Sequence, residues 1–443
     1  MYARLSMTHI PLLRPHAWLP PQAALRAYAA APWMAFLDSG GAADAPRARW
    51  SFLCPRPRET LVWRGKQLWR NGTPVTGSAW EHLRDMRLAL PLPPKGPPPF
   101  RGGLIGLASY GAGLTLENVT SRHHSTTPDL IAFSCADLLA FDRQEQRCFA
   151  IGDLPATTSL PSPAAFSPLT FSPDMGRADW LVRVQDVIDL IGAGDIFQAN
   201  LTMRWHAHAP SSFDEHAAYE ALRTASPAPF GAWFRTPEVS LLSASVERFL
   251  SLSTDGIVET RPIKGTSPLG ADDTETRHLA AALAADTKEN AENLMITDLM
   301  RNDIGRVCEI GSISVPQLCK VERFAHLHHL VSCVQGRLRA GLTAEDLLRA
   351  TLPPGSVTGA PKHRAMEIID AVETSARGAY CGTLFRIGRD GDMDSSVVIR
   401  SMERTGDRLA IGAGGGITWP SDPAREYDEM LLKAAPLLKV FAQ

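Results

Sequence analysis

The chain has 443 residues, 44 % of them hydrophobic, and a formal net charge of −2 at pH 7. That length and apolar content suffice for a large core, and the balanced charge excludes a basic surface built for nucleic acid or anionic membrane. Seven dispersed cysteines (Cys54, Cys135, Cys148, Cys308, Cys319, Cys333 and Cys381) with no C-x-x-C pair predict reduced thiols in a cytoplasmic protein.

The N-terminal stretch is broken by Arg4, Pro11, Arg14, Pro15, Pro20 and Pro21, so no secretory signal is expected. Short apolar runs at 33–37, 50–53, 60–63 and 130–133 alternate with turn residues and predict antiparallel strands. Two proline-rich stretches, 91–99 (PLPPKGPPP) and 154–173, predict extended connectors. The second divides the sequence into an N-terminal part (1–150), a Pro/Ser-rich linker (151–174) and a part rich in reactive residues (175–440).

Beyond the linker, Trp180, Leu181, Val184, Val187, Ile188 and Ile191 follow a helical period over 178–191, ended by Gly192 and Gly194. Further helices are predicted at 275–285, 291–300, 344–350, 362–372 and 423–441, with strands at 239–244, 249–253, 395–402 and 409–413. Strands and helices do not alternate regularly. An α+β architecture is expected, with antiparallel sheets and surrounding helices rather than a doubly wound sheet.

Several segments carry residues suited to chemistry. Lys264, in the run Arg261-Pro262-Ile263-Lys264-Gly265-Thr266, follows a strand-like stretch and precedes a flexible pair. An amine is nucleophilic when deprotonated; a solvated surface charge is the other reading of this segment. Glu289 and Glu292, and Glu426 and Glu429, stand at i,i+3 spacing, each pair on one helix face. Two such faces meeting would make an all-oxygen site suited to Mg²⁺; two solvated surfaces are the alternative. The glycine run 412–416 (GAGGG) would present backbone N–H groups to an anion, or form a bulge. Segment 353–362 (PPGSVTGAPK) leads into a helix. His326, His328 and His329 lack a carboxylate or cysteine at a familiar zinc spacing, so a role in the core or against substrate is expected for them.

In order along 175–440, these segments resemble the chorismate-utilising enzyme family. The resemblance rests on GDIFQ (194–198), SASVERF (243–249), PIKGT (262–266), AENLMITDLMRND (291–303), HLVS (329–332) and GSVTGAPK (355–362). It continues through RGAYCG (377–382), SVVIRS (396–401), AGGGI (413–417) and the final E-x-x-E-x-x-x-K of Glu426, Glu429 and Lys433. FLDSG (36–40) and RARWSFL (47–53) match more loosely.

The resemblance implies a fold like that of anthranilate synthase component I, with antiparallel sheets packed as a sandwich. Two positions discriminate within the family. Gln198 stands where water-using members carry a lysine base, and so resembles the ammonia-using branch. Lys264 stands where anthranilate synthases have alanine, and so resembles the branch that aminates chorismate at C4 on the way to 4-aminobenzoate and folate. Anthranilate formation, or a non-catalytic regulatory role, is the competing reading.

By that resemblance, Glu292 and Glu429 would bind Mg²⁺ directly, with Glu289 and Glu426 as outer or water-mediated partners. The second carboxylate and ring oxygens of chorismate would meet Arg400, Tyr380, Lys433 and backbone donors at Gly265, Thr266, Gly414, Gly415 and Gly416, with His329 orienting the ring. Lys264 would attack C2 while Glu247 protonates the departing C4 hydroxyl. Val246 replaces the family's usual proline before that glutamate. Ammonia would come from a separate class I glutaminase subunit. Ser39, Arg49 and Trp50 lie where relatives bind tryptophan as an effector.

Overall fold

The computed structural model describes residues 13–41, 47–92, 95–154, 165–323 and 327–442. Residues 93–94 of the first proline-rich stretch, 155–164 of the second, and His326 therefore lie outside the described residues. Two antiparallel sheets of twelve strands each dominate the fold. The first runs from Leu13–His16 through Trp50–Cys54, Met34–Asp38, Phe230–Arg235, Ser240–Ser245, Ser401–Thr405 and Arg408–Ile417 to Gln198–His208. The second runs from Ile263–Pro268 through Leu327–Arg337, Ile257–Thr260, Arg248–Leu252, Met393–Val397, Thr383–Gly388 and Gly103–Ala108 to Leu130–Cys135 and the Glu59–Arg64 hairpin region.

The sheets face each other across a core that includes Phe52, Ile105, Phe133, Phe234, Leu241 and Val398. Helices cover the outer faces, as alternating apolar residues on two-sided strands require. Helices Thr287–Gly305 and Ala344–Thr351 pack on the second sheet, while Glu215–Ala225 and Pro423–Phe441 pack on the first. The α+β sandwich expected from the sequence is the observed architecture. Strands from before residue 151 and after residue 175 pair within both sheets, so the two ends of the sequence share one sandwich. Around the linker, Leu154 and Leu169 are buried against that shared core.

Helices at Arg177–Gly192, Asp273–Ala285, Ala344–Thr351, Lys362–Val372 and Pro423–Phe441 fall where apolar periodicity predicts them. The helix predicted at 291–300 extends to Thr287–Gly305, because Asp286 caps it by accepting from the Glu289 amide at 2.9 Å. One prediction fails at a telling place. The expected continuous strand 395–402 is two strands, Met393–Val397 in the second sheet and Ser401–Thr405 in the first. Between them the chain crosses from one sheet to the other, and Arg400 takes φ +50° to make the turn. Among the described residues no helix is long and apolar enough to cross a membrane.

Below the site a buried ion pair ties the Thr287–Gly305 helix to the start of Lys362–Val372. Lys362 Nζ donates to Asp303 at 2.6 Å and to the carbonyls of Thr351 and Pro353 at 3.0 and 3.1 Å. Both side chains are almost fully buried, so removing one partner strands the other charge. Lys362→Met should therefore lower unfolding free energy in urea by about 3–5 kcal/mol. Lys362→Met combined with Asp303→Leu should lose less, since it leaves no orphaned charge; an equal or greater loss would show that the pair's hydrogen bonds, not its charges, matter.

Candidate active site

Two sheet-to-sheet crossings build the wall of the site. One joins Ser240–Ser245 to Arg248–Leu252 and carries Glu247; the other carries Arg400. Three hydrogen bonds lock them together. Ser245 Oγ donates to the Val397 carbonyl at 2.7 Å, Val397 N–H to the Glu247 carbonyl at 3.1 Å, and Ala244 N–H to the Arg400 carbonyl at 3.0 Å. Val246, the family's proline position, packs against the core of the first sheet, so apolar contact and these bonds hold the crossing without a fixed φ.

Glu247 is buried, and its carboxyl pKa is raised to about 7. Burial disfavours the charged form; the facing Ser356 hydroxyl and the cations of Lys264 and Arg400 oppose the shift without cancelling it. Arg400 is exposed at the mouth of the cleft. The protein atoms around its guanidinium lower its pKa, and Glu247 works against that.

Lys264 lies on the edge strand Ile263–Pro268, paired through Leu330 and Val331 to Leu327–Arg337. A bulge follows it between Lys264 and Thr266, and Gly265 fills the bulge at φ +72°. A Cβ there would lie 3.0 Å from both Glu289 Oε2 and Leu283 Cδ1, a tight fit to two side-chain ends, and the positive φ favours glycine. Past the bulge, Thr266 stands opposite His329, with Thr266 Oγ1 3.0 Å from His329 Nδ1. Burial lowers the His329 pKa to about 4, so the ring is neutral at pH 7. Its Nδ1 also lies 3.4 Å from the Gly265 carbonyl.

The floor is the strand Arg408–Ile417. It pairs along its whole length with Gln198–His208 but with Ser401–Thr405 only as far as Ile411. Beyond that residue one edge has no strand beside it among the described residues, and alternate backbone groups of the glycine run face outward; Lys433 donates to one of them, the Gly414 carbonyl, at 3.2 Å. A Cβ on Gly416 would meet Gln198 Nε2 at 2.5 Å and Lys264 Nζ at 3.1 Å. Glycine at 416 thus lets the lysine and the glutamine close over bare backbone. Gln198 is buried, and neither end of its amide has a hydrogen-bond partner. Such an orphan is costly unless a ligand completes it. Tyr380 packs against Gly412, on the face of this strand that Gly416 turns toward Gln198 and Lys264, with Arg204 over its ring at 5.7 Å.

The two E-x-x-E faces approach each other, with Lys288 within reach of a carboxylate from each. Glu292 lies 3.8 Å from Lys264 Nζ, and a Cβ on Gly415 would sit 3.3 Å from Glu426 Oε2. Glu429 forms an ion pair with Lys433 at 2.8 Å. Glu289 and Glu426 have raised pKa values, each from burial first, with neighbouring carboxylates adding to it. Burial also acts on Glu429, but Lys433, Lys288 and Lys264 hold it below the usual value. Among the described residues no three acidic, histidine or cysteine groups converge closely enough to hold a metal ion as they stand. A cation sits there instead. Lys288 Nζ lies 3.8 Å from Glu292 and 3.6 Å from Glu426. Sequence reading passed over Lys288, although its i,i+4 spacing to Glu292 was visible; it also passed over Ser356.

Ser39, Arg49 and Trp50 lie away from this cleft, at a separate cavity of about 260 Å³ also lined by Arg47, Phe52, Phe230, Arg248 and Asp394. Ser39 Oγ donates to the Trp50 carbonyl at 2.6 Å, and Arg49 pairs with Asp142 at 2.7 Å. Their polar groups are thus already engaged. His328 and His329, adjacent on one strand, point to opposite faces and do not form a cluster.

Comparison with known proteins gives one answer across sequence and structure. The pattern of the chorismate binding enzyme family matches residues 42–439. Aminodeoxychorismate synthase component 1 of Klebsiella aerogenes is 39 % identical over 424 residues, covering 92 % of this chain and 93 % of that protein. Anthranilate synthase component 1 of Thermus thermophilus is 38 % identical over 365 residues, covering 77 % of this chain and 78 % of that protein. The crystal structure of anthranilate synthase component I from Streptococcus pneumoniae superposes with a TM-score of 0.79 at 32 % identity, covering 89 % of this chain and 93 % of that one. With a cleft whose acid, amine and carboxylates stand where those motifs fall, the chain belongs to the family of chorismate binding enzymes.

Proposed function

We propose that the chain is the catalytic component of an aminodeoxychorismate synthase, converting chorismate and ammonia to 4-amino-4-deoxychorismate and water, on the route to 4-aminobenzoate and folate. The observation that carries the reading is Lys264, which closes over Gly416 beside Gln198 and lies 3.8 Å from Glu292. Near full-length similarity to component 1 enzymes supports it. The name component 1 also supports a separate glutamine amidotransferase as the source of ammonia.

Chorismate is a dianion, and desolvating it requires paired charge. In this reading Glu292 and Glu429, with Glu289 and Glu426 around them, would hold Mg²⁺, which would supply positive charge against one carboxylate of the substrate. An all-carboxylate donor set of this kind suits Mg²⁺. Arg400, Tyr380, Lys433 and the backbone of Gly265, Thr266 and Gly414 to Gly416 receive the other carboxylate and the ring oxygens. His329, neutral, orients the ring.

Lys264 attacks C2 through its amine nitrogen, the two conjugated ring double bonds both shift, and the C4 hydroxyl leaves as water with a proton from Glu247. The new C2 ammonium gives up one proton, which restores Glu247. Ammonia then bonds to C4, both double bonds shift back, and the C2–N bond breaks; the proton lost by the incoming nitrogen returns Lys264 to its amine. One hard substitution becomes two allylic displacements. The acid must start protonated, and the raised pKa of Glu247 supports that role.

The second cavity is read as an effector site for a small aromatic amino acid such as tryptophan. Trp50, Phe52 and Phe230 supply the aromatic walls, and Arg47 and the Arg248–Asp394 ion pair the polar edge. Arg248 follows Glu247 directly and pairs with Asp394 at 2.9 Å, so occupancy acts next to the acid.

Incubation with chorismate, Mg²⁺ and excess ammonium should yield 4-amino-4-deoxychorismate, identified by mass and by coupling to the 4-aminobenzoate-forming lyase. Anthranilate as the main product would overturn the assignment. Without ammonia, mass spectrometry should find a chorismate-derived adduct on Lys264; an adduct on another residue would remove the nucleophile role.

For Glu247, kcat/KM should fall above about pH 7 as the acid ionises, and Glu247→Gln should lose about 10²–10⁴-fold. The sign for stability follows from the same shift. A folded pKa raised above the unfolded one means the folded state binds the extra proton, so wild-type stability falls as pH rises from about 4.5 through about 7. Glu247→Gln should lack that decline in denaturant titrations; a parallel decline would assign the pH dependence to other groups.

For the cavity, tryptophan should raise Tm in wild type and not in Arg248→Ala. No shift in wild type up to the solubility of tryptophan would discard this effector.

A further inference from the structure

Resting on the metal reading above, we infer that Lys288 is a tethered cation that holds the carboxylate cluster when Mg²⁺ is absent and must withdraw for the metal to enter. Lys288 springs from the first turn of the Thr287–Gly305 helix and reaches across to the other helix. Its ammonium lies between Glu292 at 3.8 Å and Glu426 at 3.6 Å, so one side chain bridges the two faces that would share a metal. The remaining charges around it are Glu289 from its own helix, Glu429 and Lys433 from Pro423–Phe441, and Lys264 from the edge strand.

The contrast with the two other lysines is informative. Lys433 is paired with Glu429 and with a backbone carbonyl at the margin, and Lys264 touches the cluster only through Glu292. Lys288 alone of the three contacts one carboxylate from each helix. Its side chain is 42 % exposed, so the four-carbon stem has open solvent to swing into. Glu426, by contrast, is anchored through Ser421 at 2.7 Å. The carboxylates stay and the lysine moves.

A site occupied part of the time by an internal ligand binds an external one more weakly by the competent fraction. If Lys288 holds the cluster about nine-tenths of the time, apparent Mg²⁺ affinity is reduced about tenfold. The same contact neutralises the cluster in the metal-free protein, which limits carboxylate repulsion there.

Calorimetric titration of the full chain with Mg²⁺, without chorismate, tests this. Lys288→Met should bind Mg²⁺ about tenfold more tightly than wild type, while Lys288→Arg, which keeps the cation, should stay near wild type. In EDTA, Lys288→Met should melt at a lower temperature than wild type, and Mg²⁺ should raise its Tm by more. Unchanged or weaker Mg²⁺ binding by a folded Lys288→Met, beside a wild type that binds, would overturn the tethered-cation role alone. Failure of both proteins to bind Mg²⁺ would overturn that role and the metal reading together.

Discussion

The site depends on two adjacent places where the chain leaves one sheet and enters the other. A sandwich needs its sheets linked, and the links at Ser245–Arg248 and Val397–Ser401 lie side by side, stitched by Ser245, Val397 and Ala244. At a crossing the backbone cannot keep strict in–out alternation, so side chains are freed to point along the gap. Glu247 and Arg400 stand at these crossings, the first buried and the second exposed. Bringing a carboxyl into the space between two apolar sheets removes it from water, and this more than any neighbour lifts its pKa.

Around that wall the protein concentrates charge while staying near neutral overall. Four carboxylates from two helices face three lysines from a strand and the same two helices. Neither set would be stable alone in a partly buried cleft. Together they form a cluster whose opposite charges largely compensate one another. Two close approaches make room for this: the bulge at Gly265 against Glu289, and the bare backbone of Gly416 beneath Lys264 and Gln198.

Much of this is legible in order along the chain. Apolar periodicity locates the Arg177–Gly192, Lys362–Val372 and Pro423–Phe441 helices closely, because each buries one stripe against a sheet. The paired glutamates are readable too, since i,i+3 spacing fixes a shared face whatever the helix packs against. Reading fails where neighbours in space decide. Residues 395–402 read as one strand, yet the left-handed Arg400 splits them, and nothing local demands that turn. Lys288 reads as a solvated helix lysine until the second helix arrives with Glu426. Ser39 and Arg49 sit at the expected cavity, but Trp50 and Asp142 have already taken their polar groups.

What the sequence determined by itself is the chemical inventory and its order: an amine at 264, an acid at 247, two E-x-x-E faces, a glutamine at 198 and a glycine run to lie beneath them. Those follow from residue identity and helix geometry, which are local. Which of them meet, how deeply Glu247 is buried, why position 265 favours glycine, and which lysine stands among the carboxylates were decided only by the tertiary structure. The reason is that desolvation and charge pairing depend on distances between segments tens to hundreds of residues apart, and only the folded sheets and helices set those distances.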